Sequence, residues 1–304
     1  MIIKSILTIL LFCVCNLARA DYIEITLLGT GGPPPNIERF GPSTVIETQG
    51  RYFVFDVGRG ATIRLQQAGI SLDKIEQVFL SHLHSDHITG LSDLWLTSWI
   101  WQRQNKMKVF GPDGTKDFIQ HLEQAFAEDI RLRTLNSGLN KDQSKIIAEE
   151  SALDNIVVYQ KNDIKITAFH VNHGVVEQAY GYKFESAGRK IIISGDTAYS
   201  ENLIKHAKNA DILIHEIAAA STPLLDSNNR LRKIMTYHTD PDQLTKTLIK
   251  THPKYTILNH ILLFGISEKE VLEHVKATYD GQLSFGEDLL KISIGKSIVI
   301  TPSN

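Results

Sequence analysis

The stretch Ser81-His82-Leu83-His84-Ser85-Asp86-His87-Ile88-Thr89-Gly90 places three histidines and an aspartate within six residues, directly after the apolar run Val78-Phe79-Leu80. A run of that kind predicts a buried strand, so the polar cluster should occupy the loop that leaves it. Imidazole and carboxylate together suit zinc or a similar first-row metal. On an extended loop, alternating residues can aim His82 and His84 at one ion, while the next turn offers Asp86 and His87 to a second. Asp86 could instead only cap a helix that begins at Ile88, but a cap accounts for none of the three histidines.

On either side of this stretch the pattern is strand-rich. Tyr22 to Leu28 alternates apolar and polar residues and ends in Gly29-Thr30-Gly31-Gly32-Pro33-Pro34-Pro35, which cannot be helical. Thr44 to Glu47 and Tyr52 to Phe55 read as a hairpin around Gln49-Gly50, and Asp56-Val57-Gly58-Arg59-Gly60 ends it ahead of a helix from Ala61 to Ala68. Helical spacing runs from Ile88 to Trp101 and from Thr115 to Phe126, with a short strand, Met107 to Phe110, between them. Glu128 to Ser151 is polar and weakly patterned. Further strands are predicted at 164–171, 179–185, 190–194, 211–215 and 255–260, and helices at 241–251 and 267–279. Strands and helices in both halves imply an α/β protein of two sheets with helices packed outside.

With 304 residues the chain can bury a large core. Lys4, the apolar run Ile6 to Val14 and Ala18-Arg19-Ala20 have the layout of a secretory signal peptide over residues 1–20, leaving a domain over 21–304. The apolar run stops at Asn16, short of the roughly 20 residues that a membrane span needs. The expected location is therefore the periplasm or the exterior, with no membrane attachment of the mature form. Cys13 and Cys15 both fall in the leader, so the mature chain has no thiolate to act as ligand or nucleophile. Without Lys4 and Arg19, 30 basic side chains face 34 acidic ones. Binding to a phosphate backbone draws on clustered Lys and Arg, so nucleic acid is not the expected partner.

Two ions need more ligands than one loop supplies, and later strand ends offer them. Asn172-His173-Gly174 closes one strand, Ser194-Gly195-Asp196-Thr197 a second and Asn259-His260 a third. Gly195 lets the backbone turn sharply, and the two oxygens of Asp196 could bridge two cations.

In combination with Leu28 to Gly32, Phe55 to Gly60, Phe110-Gly111-Pro112, Tyr180-Gly181-Tyr182, His215-Glu216, Tyr237-His238-Thr239 and Gly286-Glu287-Asp288-Leu289, this spacing resembles the metallo-β-lactamase superfamily, in particular its ribonuclease Z-like branch. The resemblance implies a four-layer αββα sandwich. It implies two zinc ions, with manganese or iron as alternatives: His82, His84 and His173 on one, Asp86, His87 and His260 on the other, and Asp196 bridging. A hydroxide shared by the two metals is then the nucleophile, oriented by Asp86. His238 is similar to the family histidine that stabilises charge or protonates the leaving group, and Glu216 to the acid that fixes its tautomer. Asp56 is expected to support His82 or His84 from behind. Relatives of this kind pair into homodimers through surfaces near the first helices.

Other histidines compete for these roles. His170 lies close to His173, but only His173 has the matching spacing to Tyr180-Gly181-Tyr182. His215 is expected to satisfy a hydrogen bond at a strand end, and His121, His206, His252 and His274 to be surface or packing residues. Trp95 and Trp99 share a helix face and should pack in the core, which leaves Trp101 as a pocket wall beside the cluster. Pocket walls are expected from Asn36 to Pro42, Trp95 to Lys106 and Glu128 to Ser151.

Branches of the superfamily with a zinc-bound cysteine are excluded by the missing thiol, and the diiron reductases by His84, where they carry glutamate. Ribonuclease Z enzymes bind tRNA through a long arm between the residues equivalent to His173 and Asp196, here only 23 positions apart. The expected activity is hydrolysis of small anionic sulfate or phosphate esters, as in arylsulfatases and phosphodiesterases. The alternatives are a ribonuclease Z-type endonuclease, a lactone or β-lactam hydrolase, and a metal-binding sensor without turnover.

Overall fold

The computed structural model describes residues 22–303, so the expected leader lies outside the described residues. Along the chain run β1 (Ile23–Gly29), β2 (Ser43–Thr48), β3 (Arg51–Phe55), β4 (Gln77–Phe79), β5 (Met107–Gly111) and β6 (Ile146–Glu150). There follow β7 (Ile156–Lys161), β8 (Ile164–His173), β9 (Val176–Ser186), β10 (Arg189–Ile193), β11 (Ile212–Ala220) and β12 (Tyr255–Phe264). Short strands β13 (Leu283–Phe285), β14 (Lys291–Ile294) and β15 (Ile298–Thr301) end it. They form one sheet in the order β15-β14-β1-β2-β3-β4-β5-β6 and a second in the order β13-β12-β11-β10-β9-β8-β7.

Alternation along the strands decides what each face meets. Phe53 and Phe55 of β3 point between the sheets, with Phe79, Tyr182, Phe184, Ile191 and Ile193, while Val54 and Ile192 point outward. The outer face of the first sheet is covered by α1 (Ala61–Gln67), α2 (Ser85–Ile88), α3 (Leu91–Ile100), α4 (Thr115–Ala125) and α5 (Ala127–Ser137). Beyond the second sheet lie α6 (Glu201–Ala207), α7 (Thr222–Ser227), α8 (Asn229–Met235), α9 (Pro241–Thr251) and α10 (Glu268–Lys276). Leu203, Leu244, Leu248, Val271 and Val275 from these helices pack with Ile192 and Leu213. The result is the αββα sandwich, with one core between the sheets and one under each helical layer. Each fully buried Phe, Ile or Leu in these cores contributes about 1.5–3 kcal/mol of transfer free energy.

Local chemistry sets the helix starts. Asp240 accepts from Gln243 N with Pro241 in the first turn of α9, and Ser267 and Glu270 form a capping box on α10. The helix expected from Ile88 to Trp101 is two helices. Gly90 N donates to Val57 O, and a Cβ at Gly90 would lie 2.3 Å from Gly58 O, so the backbone is held against the β3 loop there. Trp95 and Trp99 are core residues, as expected. Strands β11 and β12 both run on well past His215 and His260.

Strands β3, β4, β5 and β6 are parallel neighbours in the first sheet, as are β10, β11, β12 and β13 in the second. Residues that follow β3, β4 and β10 therefore emerge on one edge of the sandwich, where open α/β sheets build their sites.

Candidate metal centre

His82 and His84 leave the end of β4 on an extended segment, and α2 then presents Asp86 and His87. Packing without side chains beneath this loop lets it fold so tightly. A Cβ on Gly58 would lie 2.3 Å from the Gly41 carbonyl carbon and 2.6 Å from Asp86 O. His173 ends β8, and Asp196 follows β10 through Gly195, which has φ 60° and would bring a Cβ to 2.4 Å from Tyr180 O. His260 arrives differently. Glu216 pairs with Asn259 and Ile217 with Ile261, so His260 is the extra residue of a β-bulge, at φ 43°. The bulge re-aims its ring out of the strand pattern and into the site.

The ligand atoms fall into two groups. His84 Nδ1 lies 2.8 Å from His82 Nε2 and 3.3 Å from His173 Nε2. Asp86 Oδ2 lies 3.6 Å from His87 Nε2 and 3.3 Å from His260 Nε2. Between them sits Asp196 Oδ2, 3.9 Å from the Nε2 atoms of His82 and His173, 3.3 Å from that of His87 and 3.2 Å from that of His260. Ligands at about 2.0–2.1 Å around a tetrahedral ion are themselves roughly 3.3 Å apart, so both groups have the spacing of a metal position. Asp196 Oδ1 and His87 Nε2 are buried without a hydrogen-bond partner among the described residues. Orphaned buried polar atoms cost about 1–3 kcal/mol each, and cations between the two groups would satisfy both. The residues fit a two-metal centre.

Contacts behind the rings orient them. Tyr237 O accepts from His173 Nδ1 at 2.9 Å, which leaves the Nε2 lone pair facing the site. Asp56, itself at φ 56°, lies 2.9 Å from His87 Nδ1 and accepts from Ser81 N at 2.7 Å and Ser81 Oγ at 2.8 Å. Ser81 Oγ in turn lies 3.0 Å from His82 Nδ1. The expectation that Asp56 supports His82 or His84 is therefore corrected. Its left-handed backbone turns the carboxylate onto His87, and it reaches His82 only through Ser81.

Burial pushes the His82 imidazole well below its ordinary pKa and that of His173 down to about 4, so both rings are neutral lone-pair donors at neutral pH. Burial alone would do the same to His87, but Asp196 and Asp56 outweigh it and raise His87 well above 6.5. Burial also opposes charge on Asp196, yet His260 and His87 hold its carboxyl well below the usual range.

His238 approaches from the loop after α8, close to Asp196 and His260. Its Nδ1 lies 3.0 Å and 3.1 Å from the two oxygens of Glu216, and Thr197 N donates to Glu216 Oε1 at 2.7 Å. Burial opposes the charged ring, but Glu216 raises His238 to about 9. Glu216 holds His238 by its Nδ1, so His238 stands beside the centre as a charged neighbour, its other nitrogen near Asp196 and His260.

The remaining histidines lie elsewhere. His170 N donates to Asp154 and its ring packs on Tyr180; His206 stacks on Phe169; His215 Nδ1 meets Glu216 O within β11. His121, His252 and His274 are exposed. Trp101 is 62% exposed and lines a groove with Thr62, Ile63 and Asp93 on the helical face of the first sheet, so it does not wall the centre. The pocket that opens on the metal groups, about 350 Å³, is walled by Pro33, Pro34, Arg230, Ile234, Tyr237, Leu262 and Phe264. These come from the β1 loop, α8 and the end of β12, not from the three segments the sequence pointed to. Arg230 and Ile234 share one face of α8, and Tyr237 follows in the turn that leads into His238.

Residues 23–254 match the family described as Anti-Pycsar protein Apyc1. The chain belongs to this family. It is 29% identical over 286 residues to a ribonuclease Z of Mycolicibacterium gilvum, covering 92% of this chain and 99% of that protein. Among solved structures, the metallo-β-lactamase fold protein YhfI from Bacillus subtilis superposes with a TM-score of 0.70 at 15% identity, over 90% of this chain and 100% of the other. The short form of human tRNase Z does so at 0.66 and 22% identity, over 88% of this chain and 98% of the other. The chain thus has the metallo-β-lactamase fold and is similar to ribonuclease Z enzymes along nearly its whole length. Relatives named ribonuclease Z lean against the expectation that nucleic acid is not a partner, since they match this chain over nearly their whole length.

Proposed function

We propose that this Apyc1-family protein is an exported dinuclear metal hydrolase that cleaves phosphate diesters of small molecules. One observation carries the reading: a single oxygen of Asp196 lies within 3.2–3.9 Å of four imidazole nitrogens belonging to two ligand groups. Bound divalent cations would lower the pKa of a shared water and offset the charge of a tetrahedral anion. The chain supplies the rest. His82, His84 and His173 would hold one ion and Asp86, His87 and His260 the other, with Asp196 facing both. His238 presents its free nitrogen to the pocket as an acid for the departing oxygen, and Glu216 keeps it protonated and aimed. Pro33, Pro34, Ile234, Leu262 and Phe264 offer an apolar wall for the group attached to the phosphate, with Arg230 as a counter-charge. A pocket of about 350 Å³ fits one small ligand.

The end-to-end likeness to ribonuclease Z favours a second reading, endonucleolytic cleavage of RNA. A panel of nitrophenyl phosphate diester, phosphate monoester, sulfate ester, a lactone, a β-lactam and a tRNA transcript with a 3′ extension separates them, assayed with zinc or manganese. The small diester should be turned over fastest. Cleavage of the transcript alone would establish the second reading, and no turnover of any substrate by metal-loaded protein would overturn both.

A further inference from the structure

Two glycine-containing motifs at opposite ends of the chain, Leu28 to Gly32 and Gly286 to Leu289, do no chemistry, yet the fold brings them together beside His260. The Asp288 side chain is 3% exposed and fully engaged. Its Oδ1 accepts from Thr30 N and from Thr30 Oγ1, both at 2.9 Å. Its Oδ2 accepts from Phe40 N at 2.8 Å and from Arg64 Nε at 3.0 Å. One carboxylate thus ties both ends of the loop between β1 and β2. That loop carries Pro33 and Pro34 into the pocket wall.

The same loop bears on the metal centre. Thr30 O accepts from Ile261 N at 2.9 Å, immediately after the bulged residue. Gly32 packs so closely on that bulge that a Cβ there would meet Leu262 Cδ2 at 2.6 Å and His260 Cε1 at 3.4 Å. His260 sits in left-handed backbone, a conformation that persists in a non-glycine residue only when its surroundings hold it. Thr30 is the link, bonded to Asp288 on one side and to the bulge on the other.

We propose that Asp288 is a positioning residue for the metal position formed by Asp86, His87 and His260: through Thr30 it holds the β1 loop against the bulge and keeps the His260 ring aimed at the site. This rests on the reading of His260 as a metal ligand. It separates the two positions, because neither Asp288 nor Thr30 bonds to His82, His84 or His173.

The test is zinc affinity, measured by competition with a chromophoric chelator, for Asp288→Asn in backgrounds that leave one position each. In His84→Ala, where the Asp86, His87 and His260 group remains whole, Asp288→Asn should weaken zinc binding about 10–100-fold, as loss of a ligand's supporting contact does. In Asp86→Ala, where the other group remains whole, affinity should change less than about twofold. Gly32→Ala reaches His260 from the loop side without altering Asp288, and it should show the same selectivity; if Asp288→Asn does not fold, it decides alone. Equal weakening at both positions assigns Asp288 a general structural role and overturns the proposal, as does unchanged affinity at both. A parent protein that binds no more than one zinc removes the two-metal reading itself, and the proposal with it, whereas two zinc ions in the parent with unchanged affinity at the remaining position of each background overturns the proposal alone.

Discussion

Replacing Glu216 by Gln isolates what the acid does for His238. The amide keeps an oxygen for Thr197 N but loses the charge that faces His238 Nδ1 at 3.0 Å. In the parent, burial opposes protonation of His238 and Glu216 overcomes it, raising the ring to about 9. With that charge gone, burial and the His87 charge are opposed only by the smaller pull of Asp196, and the ring should fall to about its ordinary 6.5. The difference, about 2.5 pH units, corresponds to about 3 kcal/mol between the two protonation states. An acid that must be protonated is present below its pKa and lost above it. The parent's kcat should therefore fall only as pH rises through the alkaline range, whereas the variant's falls near neutrality. At pH 7.5 the variant should be down about tenfold, recovering to within about twofold at pH 5.5. Bound cations lower both limbs alike, so the separation of the two profiles is the quantity to measure, on the same phosphate diester and with metal content shown to be equal. In metal-free protein the raised His238 pKa contributes stability that is lost as pH rises through about 9, and because burial raises Glu216 as well, the pair also weakens on the acid side as that carboxylate protonates. A kcat profile that superimposes on the parent's, or a loss independent of pH, would refute the reasoning.

Asp196→Ala should lose at least one of two zinc equivalents and turnover together, since its oxygen faces four ligand nitrogens; metal analysis beside an activity assay checks this. Metal uptake near pH 7 should release at least one proton per chain, because Asp196 and Asp56 keep His87 protonated against the effect of burial and a ligand must be neutral. Titration calorimetry in two buffers of different ionisation enthalpy reads the proton count, and identical heats would contradict it. Gly58→Ala places a methyl 2.3 Å from the Gly41 carbonyl carbon and should cost about 1–3 kcal/mol, several degrees in Tm, whereas Gly295→Ala, with no neighbour within 4 Å, should melt with the parent.

Much of the centre was legible because its residues follow strands whose apolar runs are plain in the sequence. Val78-Phe79-Leu80 announces the His82 to His87 loop, and Ile191-Ile192-Ile193 announces Asp196. What was not legible depends on contacts between distant segments. The reach of His260 comes from a bulge that exists only in its pairing with β11, and the partner of Asp56 depends on a left-handed backbone that a sequence does not print. The pocket wall was missed because α7 and α8 are short, with Leu231 their only buried side chain, too little apolar periodicity to detect. Trp101 misled in the opposite way. It sits at the end of α3, where the helix stops before its ring can turn toward the site, and it is left on the outer surface.

The proposed centre draws seven side chains from four separate segments onto two metal ions. Anomalous diffraction at the zinc edge from crystals of zinc-saturated protein tests it most directly. Two peaks are predicted, one among His82 Nε2, His84 Nδ1 and His173 Nε2 and one among Asp86, His87 and His260, with Asp196 facing both. A single peak, a peak ligated by His238, or none at saturating zinc would contradict it.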